Sequence, residues 1–114
     1  QESKHYSYYS RLYEKIAPIW KSAITDAMYA RKPPAGVYTT EADIIFDSGG
    51  KLKEVVILRS CGIGEFDQVV ARSWQKAHDA PNPPRELIDE AGNVHIVWSF
   101  TLTVDSSISR ALRR

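Results

Sequence analysis

From Val94 to Val104 every second residue is apolar: Val94, Ile96, Trp98, Phe100, Leu102 and Val104. The residues between them are polar or small, Val97 excepted. Strand side chains alternate faces, so this pattern predicts a β-strand with one dry face and one wetter face. Asp105–Arg114 reads as a polar, basic tail, too short to add a layer. A strand with no successor is expected at a sheet edge, where its unpaired backbone is a template for a partner's strand.

Upstream, Tyr9, Leu12, Tyr13, Ile16, Trp20, Ala23, Ile24 and Ala27 recur at helical spacing. They predict an amphipathic helix over Tyr6–Tyr29, with Tyr9 and Tyr13 in the core and Tyr6 and Tyr8 on the surface. Pro18 lies within it and predicts a kink rather than a break, because the apolar phase survives from Ile16 to Trp20. Pro33 and Pro34 end the helix. Val37–Asp47 alternates and predicts a strand. Ser48-Gly49-Gly50-Lys51 is a hairpin turn, with glycines for positive φ. Leu52–Ser60 is a second strand, and its run Val55-Val56-Ile57-Leu58 points to a centrally placed or doubly covered strand. Phe66, Val69, Val70, Trp74 and Ala77 mark a helix over Glu65–Ala77, with Glu65 and Asp67 at its dipole-favoured start. A proline-rich connection and a short turn near Leu87 and Ile88 lead to the final strand.

The order α-β-β-α-β predicts an α+β fold: a two-layer sandwich of three antiparallel strands with both helices on one face. Phe46, Leu58, Trp98, Phe100, Trp20 and Trp74 are expected between the layers. A chain of 114 residues fits one domain. Its expected span is 6–105, with residues 1–5 a disordered start and 106–114 a basic tail.

A net charge of +1 gives no basic footprint for nucleic acid or an anionic membrane. The lone Cys61 makes no internal disulfide and does not fix the compartment. No run approaches a membrane span, and the N-terminus lacks a signal-peptide pattern. Walker, Rossmann, HExxH, CxxC and GxSxG signatures are absent, so no cofactor, metal or catalytic residue is expected. Gly62-Ile63-Gly64 reads as loop geometry, and Pro81–Pro84 as a rigid linker. Cys61, before a helix N-terminus, is a nucleophile candidate with His78 or His95 as base, against the plainer reading of a half-buried thiol. His95 reads as surface decoration and His5 as disordered.

Tyr9-Ser10-Arg11-Leu12 through Ile16 to Trp20, then Gly36, then the strand–Ser-Gly-Gly-Lys–strand hairpin, resembles the C-terminal domain of TonB-type energy transducers. Ser60-Cys61-Gly62, Phe66-Asp67, the helix with Ala71, Trp74 and Ala77, Pro81–Pro84 and the last aromatic strand complete the set. The match spans most of Tyr6–Leu102. Lys21-Ser22 replaces the family's frequent Tyr-Pro after the tryptophan, and Cys61 stands at a small-residue position. The chain is also similar to the TolA C-terminal domain.

The resemblance implies a non-enzymatic periplasmic domain of a longer protein, anchored in the inner membrane by a helix upstream of Gln1. It implies a proton-driven motor of the ExbB/ExbD type and an outer-membrane TonB-dependent receptor, or another envelope protein, as partners. The receptor's N-terminal box would add as a strand along His95, Ile96, Val97, Trp98, Ser99, Phe100, Thr101, Leu102 and Thr103. An open edge also makes a strand-swapped homodimer plausible. Two other readings stand beside it: a TolA-like or adaptor domain of an envelope or motility complex, and a Cys61-dependent enzyme.

Overall fold

The computed structural model describes residues 2–113, with side chains from Tyr6 onward. The order is α1 (Glu2–Arg31), β1 (Gly36–Asp47), β2 (Leu52–Arg59), α2 (Gly64–Ala77), β3 (Asn93–Val104) and α3 (Ser106–Leu112), with a 3-10 turn at Arg85–Leu87. The fold is α+β, a three-stranded antiparallel sheet in the order β2-β1-β3 with helices packed on it.

The strand faces sort as the alternation predicts. Ala42, Ile44 and Phe46 of β1 and Val94, Ile96 and Phe100 of β3 are buried with Val70, Trp74 and Ala77 of α2 and Tyr8, Leu12 and Ile16 of α1. Aromatic rings bridge the layers. Phe46 meets Trp74 edge-on at 5.8 Å, Trp74 lies 5.9 Å from Trp98, and Trp20 lies 5.8 Å from Phe100. Such pairs add roughly 0.5–1.5 kcal/mol each beyond area burial.

Five expectations need correction. The central strand is β1, not β2. Leu58 is 52% exposed and takes no part in the core. The register steps from Glu41↔Arg59 to Ala42↔Ile57, so Leu58 is the extra residue of a bulge; the apolar run reflects that bulge rather than burial on both sides. In α1 the buried tyrosine is Tyr8, in phase with Leu12 and Ile16, whereas Tyr13 is 56% exposed. The helix runs unbroken from Glu2, so residues 2–5 are helical; Gln1 and the side chain of His5 lie outside the described residues. The basic tail is a helix, α3, whose N-cap Asp105 accepts from Ile108 N–H at 2.8 Å.

Two loops are clasped. Gly50 (φ +89°) closes the β1–β2 turn, and its C=O accepts from Ala80 N–H at 2.7 Å. Tyr8 donates to Ala80 C=O at 3.0 Å from the other side. Burial drives the Tyr8 phenol up to about 12, the Arg11 charge opposing. Lys15 reaches both the Asp79 carboxylate (2.5 Å) and its C=O (2.8 Å).

Candidate functional site: the outer edge of β3

β3 pairs with β1 in an unbroken twelve-residue register, Gly36↔Val104 to Asp47↔Asn93. Its other side faces away from the sheet. Which backbone groups point there follows from the hairpin. Asp47 N–H donates to Lys51 C=O at 2.8 Å, and Leu52 N–H donates away from β1, to His78 C=O at 3.0 Å. Phe46–Leu52 is therefore a non-hydrogen-bonded pair, and Phe46 turns its own groups toward β3. Alternation along β1 gives Thr40, Ala42 and Ile44 the same direction. Their register partners Phe100, Trp98 and Ile96 thus bond to β1. The N–H and C=O of Val97, Ser99, Thr101 and Thr103 point outward.

Asn93 confirms the parity: its C=O accepts from Asp89 N–H at 2.8 Å on that outer side. Ile88 bridges to Val94 there as well. This short stub covers the start of the edge, so among the described residues the row without a paired segment runs Val97–Thr103, shorter than the expected His95–Thr103. All four outward residues have exposed side chains.

The opposite edge is different. β2 carries two register shifts, and its entry is covered by the Lys51–Asp79 bridge and the Leu52–His78 bond. Bulges, coverage and the charges of Lys53, Glu54 and Arg59 are the usual devices that blunt an edge. β3 has a stub at one end and neither bulges nor charges beyond it.

On the helix side of β3 a groove of about 410 Å³ lies between the strand and α1. Tyr13, Ala17, Trp20 and Lys21 form one wall, and Trp98, Ser99, Phe100 and Thr101 the other. The indole Nε1 of Trp20 is buried with no hydrogen-bond partner among the described residues.

On the open face, His95 Nδ1 lies 2.8 Å from Asp43 Oδ2 and Nε2 lies 3.4 Å from Asp89 Oδ2. The hydrogen bond to Asp43 raises the His95 pKa, desolvation opposes it, and the charges of Asp43 and Asp89 add to the rise. Sequence reading missed this bridge, although both Asp43 and His95 fall on the wetter side of their strands. Among the described residues no group of three His, Cys, Asp or Glu side chains is placed to hold a metal ion.

Cys61 has a structural setting. Its Sγ contacts Ile63 C=O at 3.4 Å, and its N–H donates to Asp67 Oδ1 at 3.1 Å. Thr40 (2.7 Å) and Ser60 (2.5 Å) donate to the same carboxylate. Burial pushes the Asp67 pKa up, but the hydrogen bonds from Ser60, Cys61 and Thr40 outweigh it and hold the carboxyl below its usual range. No hydrogen bond or ion pair among the described residues joins Cys61 to His78 or His95.

No protein-family model matches the chain, and no curated protein matches it. Among solved structures, the HasB CTD is similar at 18% identity and a TM-score of 0.46, covering 84% of this chain and 67% of that one. No helix of the described residues is long and apolar enough to cross a membrane.

Proposed function

We propose that this domain is a TonB-like binding module that captures an extended segment of an envelope protein by strand addition along β3. The outward row from Val97 to Thr103 carries this reading: one edge is long, regular and open, while the other is bulged and covered. Added strands are held by main-chain bonds, so the module tolerates varied partner sequences. The ordered motifs from Tyr9 to Pro84 support the energy-transducer setting. In that setting the domain is periplasmic, belongs to a protein anchored in the inner membrane, and passes force from an ExbB/ExbD-type motor to an outer-membrane receptor. It performs no catalysis.

Titration calorimetry with peptides from the periplasm-facing N-terminal segments of outer-membrane receptors tests the site. Ser99→Pro removes one outward N–H at an edge position that tolerates proline. Binding is expected to vanish while circular dichroism stays native. Undiminished binding by the folded variant overturns the assignment.

A further inference from the structure

The clasp that joins α1 to the segment after α2 leaves a cleft of about 630 Å³ beside it. Ser7, Tyr8 and Arg11, within one turn of α1, form one wall, and Asn82–Arg85 with Ile88 forms the other. The walls are set by contacts within the chain. Tyr8 donates to Ala80 C=O at 3.0 Å, and Lys15, one turn beyond Arg11, holds Asp79.

The charge in this cleft is of one sign. Arg11 and Arg85 line it, and no Asp or Glu does. Lys15 is neutralised by Asp79, but neither arginine has a carboxylate partner among the described residues. Arg11 is nonetheless held in place. Its guanidinium lies 5.4 Å over the Tyr8 ring and gives an N–H to Pro81 C=O at 3.3 Å, which leaves the rest of its fork free among the described residues. Arg85 opens the 3-10 turn, is exposed, and its guanidinium makes no bond to the described residues. The exposed Ser7 hydroxyl and Asn82 amide also line the cleft without a hydrogen bond among the described residues. Half-buried Pro83 and Ile88 give it an apolar side.

We propose that this cleft binds a small organic phosphate monoester, with Arg11 and Arg85 on the phosphate, Ser7 and Asn82 beside them, and Pro83 and Ile88 against the organic part. Guanidinium groups with no acid between them call for an anion. A carboxylate has two oxygens in one plane and is satisfied by a single fork. A phosphate monoester, close to a dianion at neutral pH, has three oxygens pointing apart and takes forks from separate elements at once. The apolar side is the reason for an organic ester rather than the bare ion. The site is independent of strand addition, because none of its lining residues belongs to β3.

Two-dimensional NMR titration of the 114-residue chain with phenyl phosphate, benzoate and inorganic phosphate tests this. Phenyl phosphate is expected to shift the amides of Arg11, Asn82 and Arg85 and to bind about tenfold or more tightly than benzoate. Inorganic phosphate should shift the same amides and bind more weakly than phenyl phosphate. Arg85→Gln, at an exposed side chain, should weaken phenyl phosphate binding about tenfold while circular dichroism stays native. Arg85→Lys should recover only part of the loss, because an ammonium lacks the planar fork. Arg11→Gln should weaken binding as Arg85→Gln does, and Arg85→Gln decides if Arg11→Gln fails to fold.

Undiminished binding by folded Arg85→Gln, or shifts confined to other residues, overturns the site. Benzoate binding as tightly as phenyl phosphate overturns the choice of phosphate. Flotation of the chain with phosphatidic acid vesicles, lost in Arg85→Gln and with no shift from phenyl phosphate, overturns the soluble ligand and assigns the phosphate to a lipid headgroup.

Discussion

Thr40 Oγ1 donates to the carboxylate of Asp67 at 2.7 Å, which ties the central strand to the first turn of α2. The same carboxylate holds Ser60 and Cys61, so one buried side chain fastens β1, the end of β2 and the loop into α2. Ile63, the N-cap of α2, offers no side-chain cap. Asp67→Ala leaves these donors unpaired and should destabilise the fold by about 1–3 kcal/mol, measured by urea denaturation. Because the folded Asp67 is more acidic than the unfolded one, its contribution is present above the ordinary carboxylate pKa. It is lost as pH falls through the depressed folded value. The variant's stability should therefore fall less steeply in acid than that of the unaltered chain.

The outward parity of β3 has its own signature in hydrogen exchange. The amides of Val97, Ser99 and Thr101 should exchange quickly, and those of Ile96, Trp98 and Phe100 slowly, in two-dimensional NMR. The reverse pattern would place the proline test on the wrong residues.

Tyr8→Phe removes the donor to Ala80 C=O and should cost about 1–2 kcal/mol. The unfolded phenol ionises near 10 and the folded one near 12, so the neutral ring's contribution is full below the unfolded value and lost as pH rises through the folded one. An ultraviolet titration should show a tyrosine ionising late, and Tyr8→Phe should delete it.

Gly50→Ala meets two obstacles. The backbone sits at φ +89°, and an added Cβ would stand 2.3 Å from Ala80 C=O. The clasp between the hairpin turn and the segment after α2 must shift. A loss of about 2 kcal/mol or more is expected by denaturation.

His95 bridges Asp43 and Asp89, and its pKa is raised mainly by the hydrogen bond to Asp43. The bridge is complete below the ordinary histidine pKa and is lost as pH rises through the elevated folded value. The His95 ring should titrate above the ordinary value by NMR, and Asp43→Asn should return it toward that value.

Element order was legible because helical and strand periods leave distinct marks, and three of the five principal elements have one clean period. The errors have local causes. In β2 a bulge at Leu58 puts an apolar residue on the surface, and a run of four apolar residues hides the slip. In α1, tyrosines occur in two adjacent phases, and the choice between them depends on the packing against Ala80 and Pro81, which the sequence does not reveal. α3 was readable after all: Asp105 before Ser106, then Ile108 and Leu112 one turn apart, is a capped amphipathic turn. The edge position of β3 is legible in the chain order, since no strand follows it. The stub at Ile88–Asp89 and the α1 wall of the groove depend on long-range packing and are not.

The middle strand is the first to be made, yet its β3 partner lies far along the chain, with Gly36 finally meeting Val104. The β1–β2 hairpin can close locally, but the second ladder must wait for a large loop to shut, and such distant pairings are the slow part of folding. During that wait β1 is bare on one flank and offers the register that β3 will later fill.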